Sequence, residues 1–485
     1  MWPFRLRQLW MTAALFVMGS GVAHVWADDY RPPVSDEMAA LHARLDAQER
    51  ELQSMREALA APQRGQFASL ADEALGAPED IHPSGLREIQ IIASPTYKLT
   101  GRIFVDYLSS QQDDRHVHQF GNAKDRTRFD TARIGVEGHV YENVLYKFEM
   151  AFGETAFRTS STQNADRPVF KDVYLEVTEL SCIGHVRIGH FKEPLGLEQL
   201  TSSRFITFLE RSLMDAVVPG RNLGLMAYNH IFDDETLSWY TGAFRAESDD
   251  DPPDVTSDLA DYAWTSRIAW NPYYDEPTEG RYLVHIAAGF SNRQYGDSSV
   301  SFTKDHELNL FYPVSNPLQL VNIAVDHLQT YNVEAAWQSG PFHVSGEWTH
   351  VRVNAPDSFE DGSFDGAYVQ AGYFLTGEHR GYRKSMHAFD RVEVYEPFFC
   401  IRTADGCCKG CGAWELKARW SYLDLADESI RGGRAEDFSF GVNWYLNSYC
   451  RFMFDYIRGH SEQAPNTDLD GGYTSLFGAR AQVDW

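Results

Sequence analysis

Two segments of the chain carry basic side chains whose chemistry suits the binding of anions. They are Lys192, Arg204, Arg211 and Arg221 in the first segment, and Arg380, Arg383 and Lys384 in the second. The arginine guanidinium is planar and donates two parallel hydrogen bonds, which match the oxygens of phosphate or carboxylate. The first segment also contains Glu193, Glu198 and Glu210. Its arginines therefore suit either an anion site or ion pairs that hold the segment in place.

The sequence lacks the motifs of the common enzyme classes. It contains no G-x-S-x-G, no H-E-x-x-H and no Walker-type glycine loop. The 17 histidines do not cluster at the spacing of metal ligands. We therefore expect no catalytic residue, no metal and no cofactor.

The elements that must position the basic residues alternate between apolar and polar side chains from residue 97 onward. In WELKARWSY (414–422), every second residue from Trp414 to Tyr422 is apolar and the residues between them are polar. A period of two predicts β-strands with one chemistry on each face. About sixteen segments of this kind follow one another, each of the ~9–12 residues that a strand needs to cross a membrane.

The connections between these segments alternate between short and long, and the long ones include 108–128, 193–220 and 292–328. Short turns at one end, long loops at the other and an even strand count are typical of an outer-membrane barrel. A soluble sandwich is the alternative, but its polar face would not repeatedly carry the charged residues of a water-filled lumen. We predict that residues 97–485 form an all-β, sixteen-stranded antiparallel transmembrane barrel. The basic residues predicted on its lumen face are Arg102, Arg133, Lys147, Lys171, Arg187 and Arg419.

The first 27 residues have the layout of a secretory signal peptide. Arg5 and Arg7 precede an apolar run, and Val25-Trp26-Ala27 closes the segment before two aspartates. We therefore expect an exported protein located in the outer membrane. The chain has 69 acidic and 43 basic residues and a net charge of -26, which argues against a nucleic-acid partner.

A short helical segment is predicted between the signal peptide and the barrel. Apolar residues in the region 36–60 recur at alternating steps of three and four over about three heptads, which predicts an oligomerising coiled coil. A lone amphipathic helix would show the same spacing but would have little to pack against. Residues 61–94 are rich in Ala, Gly and Pro and are predicted to form a flexible linker.

Four of the six cysteines lie close together in the sequence, at Cys400, Cys407, Cys408 and Cys411. In an oxidising compartment such a group predicts disulfide bonds, and four cysteines allow three pairings. A zinc site is the alternative, but the spacing C-x6-C-C-x2-C suits it poorly. We expect disulfides and leave the pairing open.

The sequence resembles the phosphate-selective porin O and P family, in a form with an N-terminal coiled coil. The resemblance spans most of 97–485 and rests on GHFKEPLGLEQLTSSRFITFLERS (189–212), PGRNLG (219–224), GYFLTGEHR (372–380), GAWELKARWSYLDL (412–425) and GVNWYLN (441–447). It implies trimeric sixteen-stranded channels in which inward-folded loops narrow the pore and basic residues attract anions.

On this basis we expect segment 193–220, which is rich in apolar residues, to fold against the barrel wall. We expect its basic residues to line the constriction, and the unusually long connection 376–411 to fold inward as well. The predicted function is a porin, a homotrimer in outer-membrane lipid, through which small hydrophilic solutes diffuse. Anions such as phosphate are candidate solutes, although the excess of acidic residues leaves the charge preference open.

Two other functions are compatible with parts of the sequence. The coiled coil suits a structural protein that tethers the outer membrane to the cell wall. A barrel enzyme would need a Ser-His or similar pair on the lipid-facing surface, and the sequence offers none.

Overall fold

The computed structural model describes residues 95–485, apart from 153–167, 233, 247–260, 296–298, 309, 311–315, 357–360, 404–405, 428–429 and 463–470. For residues 322 and 399–409 it describes the backbone only. The predicted signal peptide, coiled coil and linker lie outside the described residues.

Sixteen antiparallel strands pair in sequence and close into one barrel, which confirms the predicted architecture. In a numbering that covers every strand, they are β1 (Lys98–Gln112), β2 (Arg126–Tyr141), β3 (Val144–Phe152), β4 (Val169–Leu180), β5 (Gly184–Lys192), β6 (Arg221–His230), β7 (Leu237–Arg245), β8 (Tyr262–Tyr274), β9 (Tyr282–Gln294), β12 (His327–Ser339), β13 (Phe342–Asn354), β14 (Gly362–Phe374), β19 (Ala413–Asp427), β20 (Ile430–Asn447), β21 (Cys450–Glu462) and β22 (Gly472–Asp484). Closure satisfies the backbone polar groups of every strand, which hydrocarbon requires.

The other described elements lie in the connections. They are the two-stranded sheets β10 (Ser299–Lys304) with β11 (Leu318–Ala324), β15 (Gly381–Arg383) with β16 (Ala388–Asp390) and β17 (Phe399–Thr403) with β18 (Gly406–Gly410), the helices α1 (Asp114–Phe120) and α2 (Leu197–Leu200), and 3-10 helices at Leu213–Val217, Glu276–Thr278 and Lys384–Met386. Helix α1 was not predicted, although Asp113 accepts a hydrogen bond from the His116 N–H at 2.7 Å as an N-cap. None of the helices in the described part of the chain is long and apolar enough to cross a bilayer.

The last strand closes the barrel against the first. Ile103 pairs with Val483, and the backbones of Gly101 and Trp485 exchange two hydrogen bonds of 3.1 Å. A Cβ atom at Gly101 would lie 2.2 Å from the Trp485 ring, so the absence of a side chain there lets the ring pack against the strand. Trp485 is 41% exposed on the outer surface, as expected for a ring at the membrane interface.

The two faces of the strands differ as the alternation predicts. Ile103, Phe477 and Val483 face outward, whereas Arg102 and Arg480 are almost completely buried inside the barrel. The prediction that apolar residues face outward is incomplete at the end that carries the long loops. Buried apolar side chains there point inward and cover the apolar residues of inserted loops; examples are Val351, Val353, Leu423 and Leu425.

The first residue of β1 and the last residue of β22 both lie at the end of the barrel that carries the short turns. The long connection after β5, residues 193–220, starts at the opposite end of the barrel, and the connection 375–412 starts at the end with the short turns. The alternation of lengths has an exception, because only two residues, 428 and 429, join β19 to β20 at the end with the long loops.

Candidate pore constriction

The connection 193–220, called the inserted loop below, folds into the barrel. Its 3-10 helix Leu213–Val217 buries Leu213 and Met214 against inward side chains of the wall, including Phe364 and Leu423. In an exposed loop these apolar side chains would remain in water, whereas burial against the wall removes them from it, which is favourable. The inward fold expected from the apolar content is confirmed.

Carboxylates of the wall accept hydrogen bonds from the backbone of the inserted loop. Glu347 of β13 accepts from the N–H groups of Leu197 at 2.9 Å and Glu198 at 2.6 Å. Asp455 of β21 accepts from the Leu209 N–H at 2.8 Å. These bonds satisfy loop donors that would otherwise be buried without partners.

Basic residues of the wall bind the carbonyl groups of the same loop. Arg451 donates to the Ile206 oxygen at 3.0 Å, Lys417 to Thr207 at 2.8 Å, and Arg480 to Leu209 at 2.6 Å. Arg419 donates to the Glu210 oxygen at 3.0 Å. All four wall side chains are at most 4% exposed. We call these four residues the anchoring side of the lumen, because their charges are occupied in holding the loop.

The second basic segment also enters the barrel, from the end with the short turns. Within it, β15 and β16 form a small hairpin, residues 381–390, which we call the inserted hairpin. Tyr382 makes a hydrogen bond of 2.9 Å with His285, and His387 makes one of 2.8 Å with Ser238. Burial, together with the charge of Arg267, lowers the pKa of His387 to about 2, so the ring is neutral. The expected inward fold is confirmed for the hairpin part of this connection.

The inserted loop and the residues next to the inserted hairpin are in contact inside the lumen. Arg380 donates a hydrogen bond of 3.2 Å to the carbonyl oxygen of Phe205, and its guanidinium lies 3.6 Å from the centre of the Phe389 ring. The barrel is therefore narrowed from both ends at one level. The inserted loop, the inserted hairpin and the inward faces of β1 and of β3 to β7 line a cavity of about 160 Å³.

Basic residues dominate the lining of this cavity, which we call the cavity side of the lumen. They are Arg102, Lys147, Arg187, Lys192, Arg204, Arg221 and Arg383, and the acidic residues of the lining are Asp172 and Asp390. Asp172 is shared, because it pairs with Lys147 at 2.9 Å and with Arg221 at 2.7 Å. One carboxylate between two cations leaves an excess of positive charge.

Arg204 is a basic residue of the cavity lining whose side chain has no ion pair among the described residues. Its guanidinium lies 3.4 Å from the Ser202 hydroxyl and 5.0 Å from the centre of the Phe205 ring. No carboxylate of the described residues pairs with it. It is half-buried and faces the cavity, so its donors are available to a solute.

The sequence comparisons agree with this architecture. The model of the family described as phosphate-selective porin O and P matches residues 98–485. The chain belongs to this family. It is therefore an outer-membrane porin, a water-filled channel through which small solutes diffuse.

Two relatives and one solved structure are among the proteins similar to this porin. It is 23% identical over 419 residues to Porin O of Pseudomonas aeruginosa, covering 79% of this chain and 87% of the relative. It is 26% identical over 366 residues to an uncharacterized protein of Caulobacter vibrioides, covering 73% and 67%. The anion-selective porin from Comamonas acidovorans is 12% identical, with a TM-score of 0.47 over 81% of this chain and 100% of that one.

Not every basic residue predicted for the constriction of the porin lines the cavity. Arg211 instead donates to the carbonyl oxygens of Glu198 at 3.1 Å and Thr201 at 3.2 Å, which holds the inserted loop in shape. Lys384 lies near the short-turn end, where it donates to the Asp234 oxygen at 2.7 Å. Arg380 lies behind the Phe389 ring. Lys192 lines the cavity and also holds the inserted loop, because it donates to the carbonyl oxygens of Gln199 and Thr201.

The residues predicted on the lumen face do point inward, but most have ion-pair partners there. Arg102 and Arg133 share Glu149, at 2.6 Å and 3.2 Å. Arg187 pairs with Glu176 at 2.5 Å. Lys171 is 6% exposed and does not line the cavity. Arg419 belongs to the anchoring side.

Asp172 was not predicted, because a β-bulge interrupts the alternation in β4. Phe148 pairs with Val173 and Met150 with Phe170, so Lys171 and Asp172 together lie opposite one residue of β3. Both therefore face inward, whereas strict alternation would turn one of them outward. The aromatic part of the lining, which includes Tyr174, Phe191 and Tyr240, was also missed.

The cysteine prediction is corrected at one position. Cys411 has a free, exposed thiol that donates to the Gly412 oxygen at 3.5 Å, so it is not in a disulfide. The side chains of Cys400, Cys407 and Cys408 lie outside the described part of the structure, and pairing among them stays a prediction.

Proposed function

We propose that this porin favours small anions over cations, and that the cavity side of the lumen is its selecting site. The observation that carries the proposal is the charge of the cavity lining, seven basic residues against two acidic ones. A positive excess remains after the ion pairs of Arg102 with Glu149 and of Arg187 with Glu176 are taken into account. A pore selects by charge and diameter where it is narrowest, and the cavity lies where the loop and the hairpin meet.

The net charge of -26 does not oppose this proposal. Charges separated by more than a Debye length of ~8 Å in water are largely screened, so acidic residues on outer loops act weakly at the cavity. A low-dielectric wall focuses the field of the local cations instead. Oxyanions such as phosphate fit the two-pronged geometry of Arg204, and the family description names phosphate.

The test is the reversal potential of single channels in a potassium chloride gradient across a planar bilayer. A unit charge ~4 Å from an ion is worth about 1 kcal/mol even in bulk water, or about fivefold in local concentration. We therefore expect Arg204→Gln to lower the permeability ratio of chloride to potassium by about fivefold. Arg211→Gln is the matched control, because it removes the same charge from the same loop outside the cavity lining.

Two results would contradict the proposal. One is a wild-type channel that prefers potassium. The other is an equal effect of the Arg204 and Arg211 substitutions, which would assign the preference to the overall charge of the loop.

We also propose that the porin assembles as a homotrimer, with the predicted coiled coil at 36–60 contributing to assembly. The proposal is supported by the heptad spacing of that segment and by the fact that most homo-oligomers have closed symmetry. Deleting residues 36–60 should weaken the trimer in cross-linking and sedimentation experiments and leave the barrel folded. A peptide of residues 28–62 that stays monomeric at high micromolar concentration would contradict it.

A further inference from the structure

The cavity has an apolar lining that a site for inorganic ions does not need. Leu200 and Phe205 of the inserted loop and Met386 of the inserted hairpin are half-buried and face the cavity. None of the three belongs to an apolar cluster formed by the described residues. Their apolar surface therefore faces the solute path and is not explained by packing in an apolar cluster of the described residues.

Two other rings of the lining are each covered by an arginine at a shorter distance than the arginines beside Phe205. Arg187 lies 4.3 Å from the centre of the Tyr174 ring, and Arg380 lies 3.6 Å from that of Phe389. These contacts hold the arginines in position. Phe205 is only half-buried, with Arg204 and Arg391 each 5.0 Å from its centre. Phe205 and Arg204 thus place an apolar surface next to a guanidinium that has no carboxylate partner among the described residues.

We propose that the cavity binds small organic anions, namely a carboxylate or phosphate group attached to a compact apolar or aromatic body. This inference rests on the anion preference proposed above and specifies its substrate class. The charged group meets Arg204 and Lys192, and the body lies against Phe205, Leu200 and Met386. The size fits one ring, since an apolar cavity of ~150 Å³ in another protein holds benzene.

The first experiment compares ligands on the wild-type channel. Benzoate, acetate, inorganic phosphate and benzyl alcohol are added in turn, and the half-blocking concentration of each for the single-channel chloride current is measured. Benzoate and acetate carry the same carboxylate group. The difference between their half-blocking concentrations therefore measures the contribution of the aromatic ring alone. Burial of one ring face predicts a half-blocking concentration about tenfold lower for benzoate than for acetate. Benzyl alcohol, which has the ring without the charge, should not block.

The second experiment removes the apolar lining. The double variant Phe205→Ala with Met386→Ala should raise the half-blocking concentration of benzoate about tenfold and leave that of acetate unchanged. The matched control is Phe232→Ala, a half-exposed ring in the short turn after β6 that does not line the cavity. Leu200→Ala alone gives a milder form of the same test if the double variant assembles poorly.

The outcomes separate this inference from the proposed function. A wild-type channel that prefers potassium overturns both proposals. An anion-selective channel that benzoate and acetate block equally overturns the organic-anion site alone. An equal loss of benzoate block in the Phe232 control and in the double variant also overturns it, because the effect would then not come from the cavity.

Discussion

Lysine and arginine side chains have different roles on the two sides of the lumen. On the anchoring side, Lys417, Arg419, Arg451 and Arg480 are at most 4% exposed and bind carbonyl groups of the inserted loop. On the cavity side, residues such as Arg204 and Arg383 remain open to the solute path. A basic residue on the inner face of a barrel is therefore not by itself an anion site. Whether the loop covers it decides its role.

The difference follows from the cost of burying charge. A buried cation must have its donors and its charge satisfied, so each one on the anchoring side also has a local polar partner, for example Asp455 at 2.6 Å from Lys417. A cation that faces water needs no such partner and keeps its field. The following predictions test this contrast, in order of decreasing effect.

Arg480→Gln should have the largest effect, because it removes a cation shared by several acids. Arg480 pairs with Asp106 at 2.7 Å, Asp130 at 3.0 Å and Glu210 at 2.8 Å. Breaking a buried ion pair leaves an uncompensated charge and costs ~3–5 kcal/mol. The free energy of unfolding in detergent should fall by that amount, and the single-channel current should become noisier as the loop loosens. Arg204→Gln, on the cavity side, should lower stability by less than ~1 kcal/mol; an equal loss in both variants would remove the contrast.

Leu213→Ala tests the apolar part of loop anchoring. Leu213 is fully buried in the cluster with Phe364 and Leu423. Replacing a buried leucine by alanine costs about 3 kcal/mol through lost burial and a residual cavity. Leu200→Ala, at the half-buried cavity position, should cost less than ~1 kcal/mol in the same measurement of unfolding in detergent. Similar values for the two leucines would mean that Leu200 is also part of the anchor.

Glu210 should make the anchoring of the inserted loop sensitive to pH. Burial, together with the neighbouring Asp130, raises the pKa of Glu210 from 4.5 to about 7. The folded state therefore binds this proton more tightly than the unfolded state, so its contribution to stability is greatest below pH ~4.5 and declines as the pH rises to about 7. Melting temperatures measured between pH 5 and 8 should fall with rising pH, and Glu210→Gln should reduce that slope. An unchanged slope in the variant would assign the pH dependence to other groups.

Arg383→Gln should have the smallest effect. Arg383 lines the cavity but is about half-exposed, and it pairs with Asp390 at 2.5 Å. Exposed ion pairs contribute ~0–1 kcal/mol, and the nearby carboxylate offsets the charge that a solute experiences. Stability should change by less than ~0.5 kcal/mol, and the shift in reversal potential should be smaller than for Arg204→Gln. A larger shift for Arg383 would move the selecting site toward the inserted hairpin.

Much of the fold could be predicted from local patterns. The alternation in segments such as 414–422 identified the strands and their faces, and the loop lengths identified the barrel. The apolar content of 193–220 predicted that it folds inward. The bulge at Lys171 and Asp172 was not predicted, because two consecutive polar residues do not by themselves show that both lie opposite one residue of the partner strand β3.

The sequence by itself determined the barrel, the inward course of both basic segments and the inward direction of most charged residues, because these depend on periodicity and on nearby residues. Only the tertiary structure decided which cations anchor the loop and which face the cavity. Arg451 binds the carbonyl oxygen of Ile206 and Lys417 that of Thr207, across more than 200 residues of chain. Arg204 and Arg211 belong to the same short segment, yet only Arg204 lines the cavity. The physical reason is that burial and partner choice arise from contacts between distant strands and loops, which a period of two residues does not encode.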